Sequence, residues 1–441
     1  PPQDLEAERS VLGALMLDKN AVIKVADILN PYDFYNPHHG MILDAILELF
    51  EKAQPIDVLS VTHVLKEKKT LATIGGSSYL TDLINNVPSA THVSYYAQLV
   101  RDKRVLRDLV QASSSITERV FQAEGDTEEL LDDIEQSIFS ISQKSRPRNF
   151  VLVKDELKEA YERIEKLHQG KGQLRGVPTG FPDLDHYLSG LQKSDLIILG
   201  ARPSLGKTSL CLDIARHVAL QTQLPVGIFS LEMSRDQIID RLISSTAQVP
   251  LWKLRTGRLS DEMEFMMIRE ALDHLSRAPL YVDDTPSPNI IQLRSMARRL
   301  KAEHGLALLV VDYLQLIQPR HYTDNMVQGI TEVSRGLKTL ARELEVPILA
   351  AAQLSREVEK RDIKIPRLSD LRETGAIEQD SDVVMFIYRK DRDKLDPTPE
   401  EQNTAEIIIA KHRNGPLGVV QLKFDAERSS FKSIDKTHTD S

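Results

Sequence analysis

The stretch Leu196-Ile-Ile-Leu-Gly-Ala-Arg-Pro-Ser-Leu-Gly-Lys-Thr208 decides the fold of this 441-residue chain. Its first residues predict a buried strand, and a turn-forming segment and a helix through Ala215 follow. A strand, a tight loop and a helix are the context in which Gly-Lys-Thr binds phosphate, because N–H groups of the loop and of the helix N-terminus surround the anion. The residues that we predict to bind a nucleoside triphosphate are Ala201, Arg202, Ser204, Gly206, Lys207, Thr208 and Ser209.

Two side chains of this loop have specific expected roles. Lys207 is expected to contact the β- and γ-phosphates, and the Thr208 hydroxyl is expected to ligate Mg²⁺. One position departs from the usual pattern, in which a glycine begins the loop. Ala201 occupies that position and Gly200 lies one place early, so Ala201 would be strained if the backbone there needed a positive φ.

Short apolar runs alternate with helical segments from about residue 176 onward. Continuous apolar strands between helices are typical of a mostly parallel sheet that is covered on both faces, so we predict an α/β domain. The predicted strands are residues 196–199, 226–229, 306–311, 348–351, 383–387 and 407–410.

The first part of the chain has a different pattern. Residues 1–143 carry apolar residues at spacings of three and four, which predicts an all-α domain, and they contain no metal, nucleophile or phosphate motif. A packing or docking module is the plain interpretation. Residues 144–175 are predicted to be a linker with one amphipathic helix, which docks on its own chain or on a neighbouring subunit. The α/β domain then spans residues 176–435, and residues 436–441 form a tail.

Polar residues at the ends of three predicted strands complete a hydrolytic site. Asp312 follows four apolar residues and is predicted to ligate a metal ion at the carboxyl edge of the sheet, where α/β sheets bind ligands. Glu232 is the candidate base that polarises the attacking water, on the expectation that its strand lies next to the phosphate-loop strand. Gln353 is predicted to sense the nucleotide state, with a structural cap of its strand as the alternative.

Composition restricts the partners of the chain. It has 56 Lys and Arg against 65 Asp and Glu, a net charge of −9, so it repels DNA on average and any DNA site must be local. No apolar run is long enough for a transmembrane helix, and the N-terminus does not resemble a signal peptide, so we expect no membrane partner. The single cysteine, Cys211, fits a reducing compartment, and the cytoplasm is the expected location.

Several blocks of sequence carry a resemblance to one known family. They are Pro1-Pro-Gln-Asp-Leu-Glu-Ala-Glu8, Asp33-Phe-Tyr35, Pro178-Thr-Gly-Phe-Pro-Asp-Leu-Asp185, Phe229-Ser-Leu-Glu-Met-Ser234, Val311-Asp-Tyr-Leu-Gln-Leu-Ile317 and Leu371-Arg-Glu-Thr-Gly-Ala-Ile-Glu-Gln-Asp-Ser-Asp382. The third block looks like the start of RecA-like ATPase domains, and the others resemble the DnaB family of bacterial and phage replicative DNA helicases. The resemblance covers essentially the whole chain, and its strength lies in the order and number of the motifs.

This resemblance implies a RecA-like fold for the α/β domain and a homo-hexameric ring with ATP and Mg²⁺ between subunits. It also implies 5′-to-3′ movement along single-stranded DNA in a central channel, in the bacterial cytosol or nucleoid or in a phage system. The N-terminal domain would be a collar that binds primase, the linker helix would dock on the adjacent subunit, and a helicase loader would be a further partner. The family pattern places DNA contacts on Arg372, Glu373 and Gly375. Residues 320–326 are a second candidate DNA loop, with a plain surface loop as the alternative.

Two cations at the end of the last predicted strand are candidates for a site between subunits. Lys411 and Arg413 stand at i and i+2, so they lie on the same side of the strand. They resemble the family's pair that reaches the nucleotide of the neighbouring subunit, and Arg413 suits the finger role because its fork matches two phosphate oxygens. Two solvated cations on an edge strand are the alternative.

Two other functions share the phosphate loop. A RecA- or RadA-type recombinase has the same core, but the helical N-terminal domain and the block around Arg372 argue against it. A nucleotide-regulated ring scaffold would assemble with ATP without translocation, and the combination of Glu232 with a trans cation pair argues against that function. A forked DNA substrate distinguishes the three.

Overall fold

A computed structural model of the chain describes residues 1–122 apart from 19, 86 and 88–91, and residues 174–434 apart from 260, 320–325, 362–363, 372–374, 394–397 and 399–400. Between these segments it describes scattered helical positions from 130 to 165. The chain divides into two compact units, Pro1–Glu156 and Leu157–Ser441. In the part of the chain that the structure describes, no helix combines the length and the apolar character that a membrane crossing needs.

The first unit is helical, as predicted. Side-chain caps begin several of its helices: Asp4 accepts a hydrogen bond from the Ala7 N–H at 3.0 Å, and Asn36 caps a helix that has proline in its first turn. One buried apolar cluster joins these helices into a single core. The helices are α1 (Leu5–Leu17), α2 (Ala21–Val25), α3 (Pro37–Glu51), α4 (Val58–Glu67), α5 (Gly76–Asn85) and α6 (Val93–Gln122), with a 3₁₀ turn at Pro31–Asp33.

A buried polar network connects the first two family blocks. The Glu8 carboxylate, 1% exposed, accepts the backbone N–H of Tyr35 at 2.6 Å and that of Asn36 at 3.3 Å. It also lies 2.6 Å from His39 Nδ1, and His39 Nε2 lies 2.8 Å from the Tyr79 hydroxyl. Satisfied polar groups of this kind specify one packing of a core, because an unpaired buried carboxylate is costly.

The second unit is built on a nine-stranded sheet, in the order β3-β2-β4-β5-β1-β6-β7-β8-β9. The pairs from β3 to β6 are parallel, and β7, β8 and β9 extend the sheet with antiparallel pairs. The sheet is therefore mostly parallel, as predicted. The strands are β1 (Leu196–Ala201), β2 (Val226–Ser230), β3 (Leu280–Asp283), β4 (Leu308–Asp312), β5 (Ile348–Gln353), β6 (Val383–Tyr388), β7 (Thr404–His412), β8 (Gly418–Asp425) and β9 (Ser430–Ser433).

Helices cover both faces of the parallel part. Alternate residues of β1 enter different apolar clusters: Ile197 and Leu199 face one cluster, and Leu196 and Ile198 face the other. This double burial is why these strands read as continuous apolar runs. The helices are α7 (Pro182–Leu188), α8 (Lys207–Gln221), α9 (Arg235–Ala247), α10 (Leu251–Thr256), α11 (Glu262–Ser276), α12 (Ile290–His304), α13 (Met326–Leu344) and α14 (Gly375–Asp380), with 3₁₀ turns at Leu314–Leu316, Arg356–Lys360, Leu368–Asp370 and Lys390–Arg392.

Two features of the sheet correct the sequence-based expectations. The strand that precedes Glu232, β2, does not lie next to β1, because β4 and β5 separate the two. Three strands were not predicted: β3 is a short, half-buried edge strand, and β8 and β9 belong to the antiparallel part. In β8, exposed residues alternate with the buried Val420, Leu422 and Phe424, so a search for continuous apolar runs does not find it.

Candidate active site

The phosphate loop connects β1 to α8, as predicted. Gly206 adopts φ +100° directly before the first helical residue, and Ser204 adopts φ +64°. Ala201 is the last residue of β1, where extended backbone suits any residue, so the expected strain at this position is absent. Its carbonyl accepts the Leu354 N–H at 3.2 Å. The preceding Gly200 has a packing role, because a Cβ there would lie 2.7 Å from the Phe386 ring.

A cavity of about 430 Å³ opens above the loop at the carboxyl edge of the sheet. Every residue predicted to bind nucleotide lines this cavity, and so do Glu232 and Gln353. The lining residues that were not predicted are Pro203, Met233, Arg241, Phe424 and Ser429.

Lys207 lies between an acid and an aromatic ring. Its Nζ is 3.4 Å from Asp312 Oδ1 and 3.9 Å from the centre of the Tyr313 ring. Both partners of the ion pair are sheltered, with side-chain exposures of 13% for the lysine and 4% for the aspartate. A cation on an aromatic face and beside a carboxylate is held in one place before phosphate arrives.

Asp312 has the properties of a metal-orienting carboxylate. Both of its oxygens are buried, and neither has a hydrogen-bond partner among the residues that the structure describes. A buried acceptor without a donor is costly. A bound cation, or water molecules that ligate it, would explain why both oxygens of Asp312 lack a donor in the described part of the chain. Mg²⁺ is commonly held by one carboxylate, a hydroxyl, waters and phosphate oxygens, so Asp312 with Thr208, in the first turn of α8, fits this ion.

Glu232 reaches the cavity by a route that differs from the expected one. It lies two residues beyond β2, and the Leu231 N–H donates to the Asp312 carbonyl at 2.8 Å. This bond ties the segment to the end of β4, so the carboxylate reaches the cavity although β2 is distant from β1. Gln353 is opposite Ala201 in the β1–β5 register. The Gln315 side chain holds its backbone, accepting its N–H at 3.2 Å and donating to its carbonyl at 3.0 Å.

Lys411 and Arg413 lie at the opposite edge of the sheet. His412 pairs with Val383, the first residue of β6, so the end of β7 is level with the amino ends of the parallel strands. Lys411 Nζ donates to the carbonyls of Glu378 and Ser381 near the end of α14. Burial, and then the nearby charge of Arg413, lowers the Lys411 pKa below its ordinary value. Arg413 Nη2 donates to the Gln379 carbonyl, so both cations contact the segment around the end of α14, and the trans role stays a prediction.

Comparison with known proteins gives a consistent result over both units. A model of the DnaB-like helicase C-terminal domain matches residues 176–433, and a model of the DnaB-like helicase N-terminal domain matches residues 1–102. The chain is 45% identical to the replicative DNA helicase DnaB of Geobacillus stearothermophilus over 99% of this chain and 96% of that protein. It is 43% identical to the replicative DNA helicase DnaC of Bacillus subtilis over 100% and 96%. The chain belongs to the DnaB-like replicative helicase family.

Solved structures agree with this membership. A DnaB-like replicative helicase, described together with its interactions with primase, matches with a TM-score of 0.80 and 30% identity over 98% of this chain and 100% of that one. The ATPase domain of G40P matches with a TM-score of 0.61 and 35% identity over 65% of this chain and all of that one. The predicted fold class and the predicted enzyme class, an ATP-dependent DNA helicase, are confirmed, and the recombinase and the scaffold are not favoured.

Two arginines of this DnaB-like helicase were missed. Arg241 on α9 lines the cavity and donates to the Ser209 hydroxyl at 3.3 Å; burial lowers its pKa, although Asp312 attracts it. Arg389, only 1% exposed, stacks over the Phe424 ring at 4.4 Å. No strand-end signal marks Arg241, and the partner of Arg389 lies on an unpredicted strand.

Most of the predicted DNA contacts fall outside the described residues. Arg372 and Glu373 are among those not described, and so are residues 320–325 of the candidate loop at 320–326. Gly375 is described as the exposed first residue of α14. The predicted linker helix is described at a few positions, including Val153, Leu157 and Tyr161, and these are helical.

Proposed function

We propose that this replicative DNA helicase works as a homo-hexameric ring that hydrolyses ATP between subunits and moves 5′ to 3′ along single-stranded DNA at replication forks. The observation that carries the proposal is the position of the cation pair. Lys411 and Arg413 lie at the amino edge of the sheet, whereas the phosphate loop lies at the carboxyl edge. The six residues of β1 separate the two edges by roughly 17 Å at the usual rise per residue. Neither cation reaches its own loop, so a nucleotide contact by either one requires the nucleotide of a second subunit, and this supports a site between subunits.

Within one subunit, the geometry assigns a step to each side chain. Lys207 neutralises the β- and γ-phosphates, and the loop N–H groups orient them. Thr208 and Asp312 would hold Mg²⁺, which offsets phosphate charge when bound. Glu232 orients the attacking water and accepts its proton. Gln353 lies beside the loop, and the Gln315 side chain holds its backbone. The Gln353 side chain responds to the presence of the γ-phosphate.

Other parts of the proposal follow the family. Arg372, Glu373 and Gly375 contact single-stranded DNA in the channel, which keeps the DNA site local in a chain of net charge −9. The helical unit serves as the collar, with primase as its partner, and a helicase loader places the ring on DNA in the bacterial cytoplasm. The solved relative that is described with its primase interactions supports the primase assignment. Phe424, which lines the cavity and has Arg389 stacked on its ring, suits the base of the nucleotide.

Mixed rings test the site between subunits. Glu232→Gln removes the base and Arg413→Ala removes the trans cation, so each ring alone should bind ATP and hydrolyse it poorly. When the two variants are co-expressed with different tags and purified as mixed rings, about one interface in four receives an intact base and an intact finger, because each cyclic interface pairs two different faces. ATPase activity should therefore recover to a measurable fraction of that of the unmodified ring. No recovery in rings of verified mixed composition would contradict a shared site.

A further inference from the structure

Arg413, the residue proposed as the trans finger, must be held in a fixed position. Arg413 comes directly after the last residue of β7, and its side chain is 47% exposed. A long, half-exposed side chain loses rotamer entropy when it engages a phosphate, and catalysis suffers when its position varies. A cation that acts in trans is therefore expected to be held by its own subunit before the neighbour's nucleotide arrives.

The Asp382 carboxylate holds the Arg413 side chain in position. Arg413 Nη1 donates to Asp382 Oδ1 at 3.2 Å, and Arg413 Nη2 donates to the Gln379 carbonyl at 2.5 Å. The carboxylate is 6% exposed, so water screens this pair weakly on the aspartate side. The two bonds engage separate nitrogens of the guanidinium, and its further N–H groups suit an acceptor on another subunit.

Asp382 is itself fixed to the strand that carries the phosphate loop. Its Oδ2 accepts the Leu196 N–H at 2.8 Å, and its own N–H donates to the Leu196 carbonyl at 2.9 Å. The Arg413 N–H donates to the Asp382 carbonyl at 2.9 Å. Lys338 Nζ on α13 completes the set, at 2.5 Å from Oδ2 and 2.9 Å from the Ser194 carbonyl.

The hydrogen bond with Leu196 does not by itself explain why residue 382 carries a negative charge. Bonding to the Leu196 N–H requires only an acceptor oxygen, which an asparagine also supplies. A buried carboxylate costs more than an amide unless it has cationic partners, and Lys338 and Arg413 are those partners. The charge thus serves the cations, and Arg413 is the one of the two that is half exposed at the sheet edge.

We propose that Asp382 is a positioning residue for the trans finger: it anchors Arg413 to β1 so that the guanidinium is ready for the nucleotide of the neighbouring subunit. This inference rests on the proposed function, because it requires Arg413 to act across the interface. A purely structural Asp382 would instead support the loop at the end of its own β1.

Asp382→Asn separates these roles, because it keeps the shape and the acceptor for Leu196 and removes the charge. The ring of this variant should lose at least about tenfold in kcat, because a charged hydrogen bond to Arg413 is lost. The KM for ATP should stay within about threefold, because that bond lies outside the ATP-binding cavity. Glu343→Gln is the matched control: that carboxylate is similarly paired with Arg294 and Arg298 but has no contact with the finger, so kcat should stay unchanged. A kcat equal to that of the control would overturn the proposal.

Mixed rings identify the subunit that Asp382 serves. Asp382→Asn mixed with Glu232→Gln should recover activity, because some interfaces then combine an intact base with an intact finger. Asp382→Asn mixed with Arg413→Ala should not recover, because both of these variants impair the finger that a subunit supplies to its neighbour. The reverse pattern would show that Asp382 acts on its own loop and would refute the positioning role. The mixture of Glu232→Gln with Arg413→Ala is the reference: its failure would reject the shared site itself, whatever Asp382 does. Fluorescence of Trp252 and binding of a fluorescent ATP analogue verify that each variant is folded.

Discussion

Replacing Lys207 should destabilise the second compact unit, Leu157–Ser441, hereafter the motor unit, as well as stop ATP turnover. The Lys207→Ala change removes the cation 3.4 Å from Asp312 and leaves a carboxylate that is 4% exposed and has no hydrogen-bond partner among the described residues. At that distance, an effective dielectric constant of about 20 gives an attraction of roughly 5 kcal/mol. Breaking a buried pair from one side typically costs about 3–5 kcal/mol. Since Arg241 also attracts Asp312, we expect a loss near the lower value, about 3 kcal/mol.

The chain offers a selective probe for this loss. Its one tryptophan, Trp252, lies on α10 in the motor unit and is 50% exposed, so its fluorescence follows the unfolding of that unit. Urea titrations with EDTA and without nucleotide exclude stabilisation by ligands. The double variant Lys207→Ala/Asp312→Asn removes both charges and should lose only about 1–2 kcal/mol, the cost of an imperfectly paired amide.

A single variant as stable as the unmodified chain would refute the buried-pair argument. So would a double variant that is less stable than Lys207→Ala, because the orphaned charge would then not be the cause. Lys207→Ala must also lack ATPase activity, and near-normal turnover would remove the phosphate-loop assignment.

Three further outcomes are expected. Asp195→Asn should be more stable than the unmodified chain at pH 8. Burial, and then the charge of Asp382, raises the Asp195 pKa from 3.8 to about 6. The folded state therefore loses stability as the pH rises through this interval, and the asparagine variant avoids that loss. The gain, discounted for partial exposure, is about 1–2 kcal/mol, and urea titrations should show it fading below about pH 4. Gly206→Ala should cost about 1–3 kcal/mol in the same titration and weaken ATP-analogue binding, because the residue has φ +100° and the new Cβ would lie 2.9 Å from the Phe431 ring. Glu232→Gln should lower kcat by at least about 100-fold while analogue binding stays within about threefold; a smaller fall in kcat would remove it as the base.

Local signals predicted the centre of the fold well. The strands that flank the phosphate loop are buried on both faces, so their apolar runs were visible without any tertiary information. The acids and the glutamine at strand ends were found for the same reason, because parallel strands deliver their carboxyl ends to one edge.

Order of strands and long-range contacts were not visible in the sequence. The neighbour of β1 depends on which crossover connections pack together, so the expectation that β2 lies next to β1 was wrong. Glu232 still reaches the cavity, because the bond of Leu231 to Asp312 ties its segment to the end of β4. Asp382 is part of a family block, but its contacts with Leu196 and Arg413 join residues far apart in the chain, and no spacing rule connects them.

Unwinding of tailed DNA duplexes tests the central claim most directly. A labelled duplex with a single-stranded 5′ tail on one strand, a second with a 3′ tail only and a fork with both tails are mixed with the purified chain, ATP and Mg²⁺. Strand separation should require ATP and a 5′ tail, and it should vanish with Lys207→Ala. Unwinding that starts from the 3′ tail alone, strand exchange without unwinding, or ATP hydrolysis without any strand separation would contradict a 5′-to-3′ replicative motor.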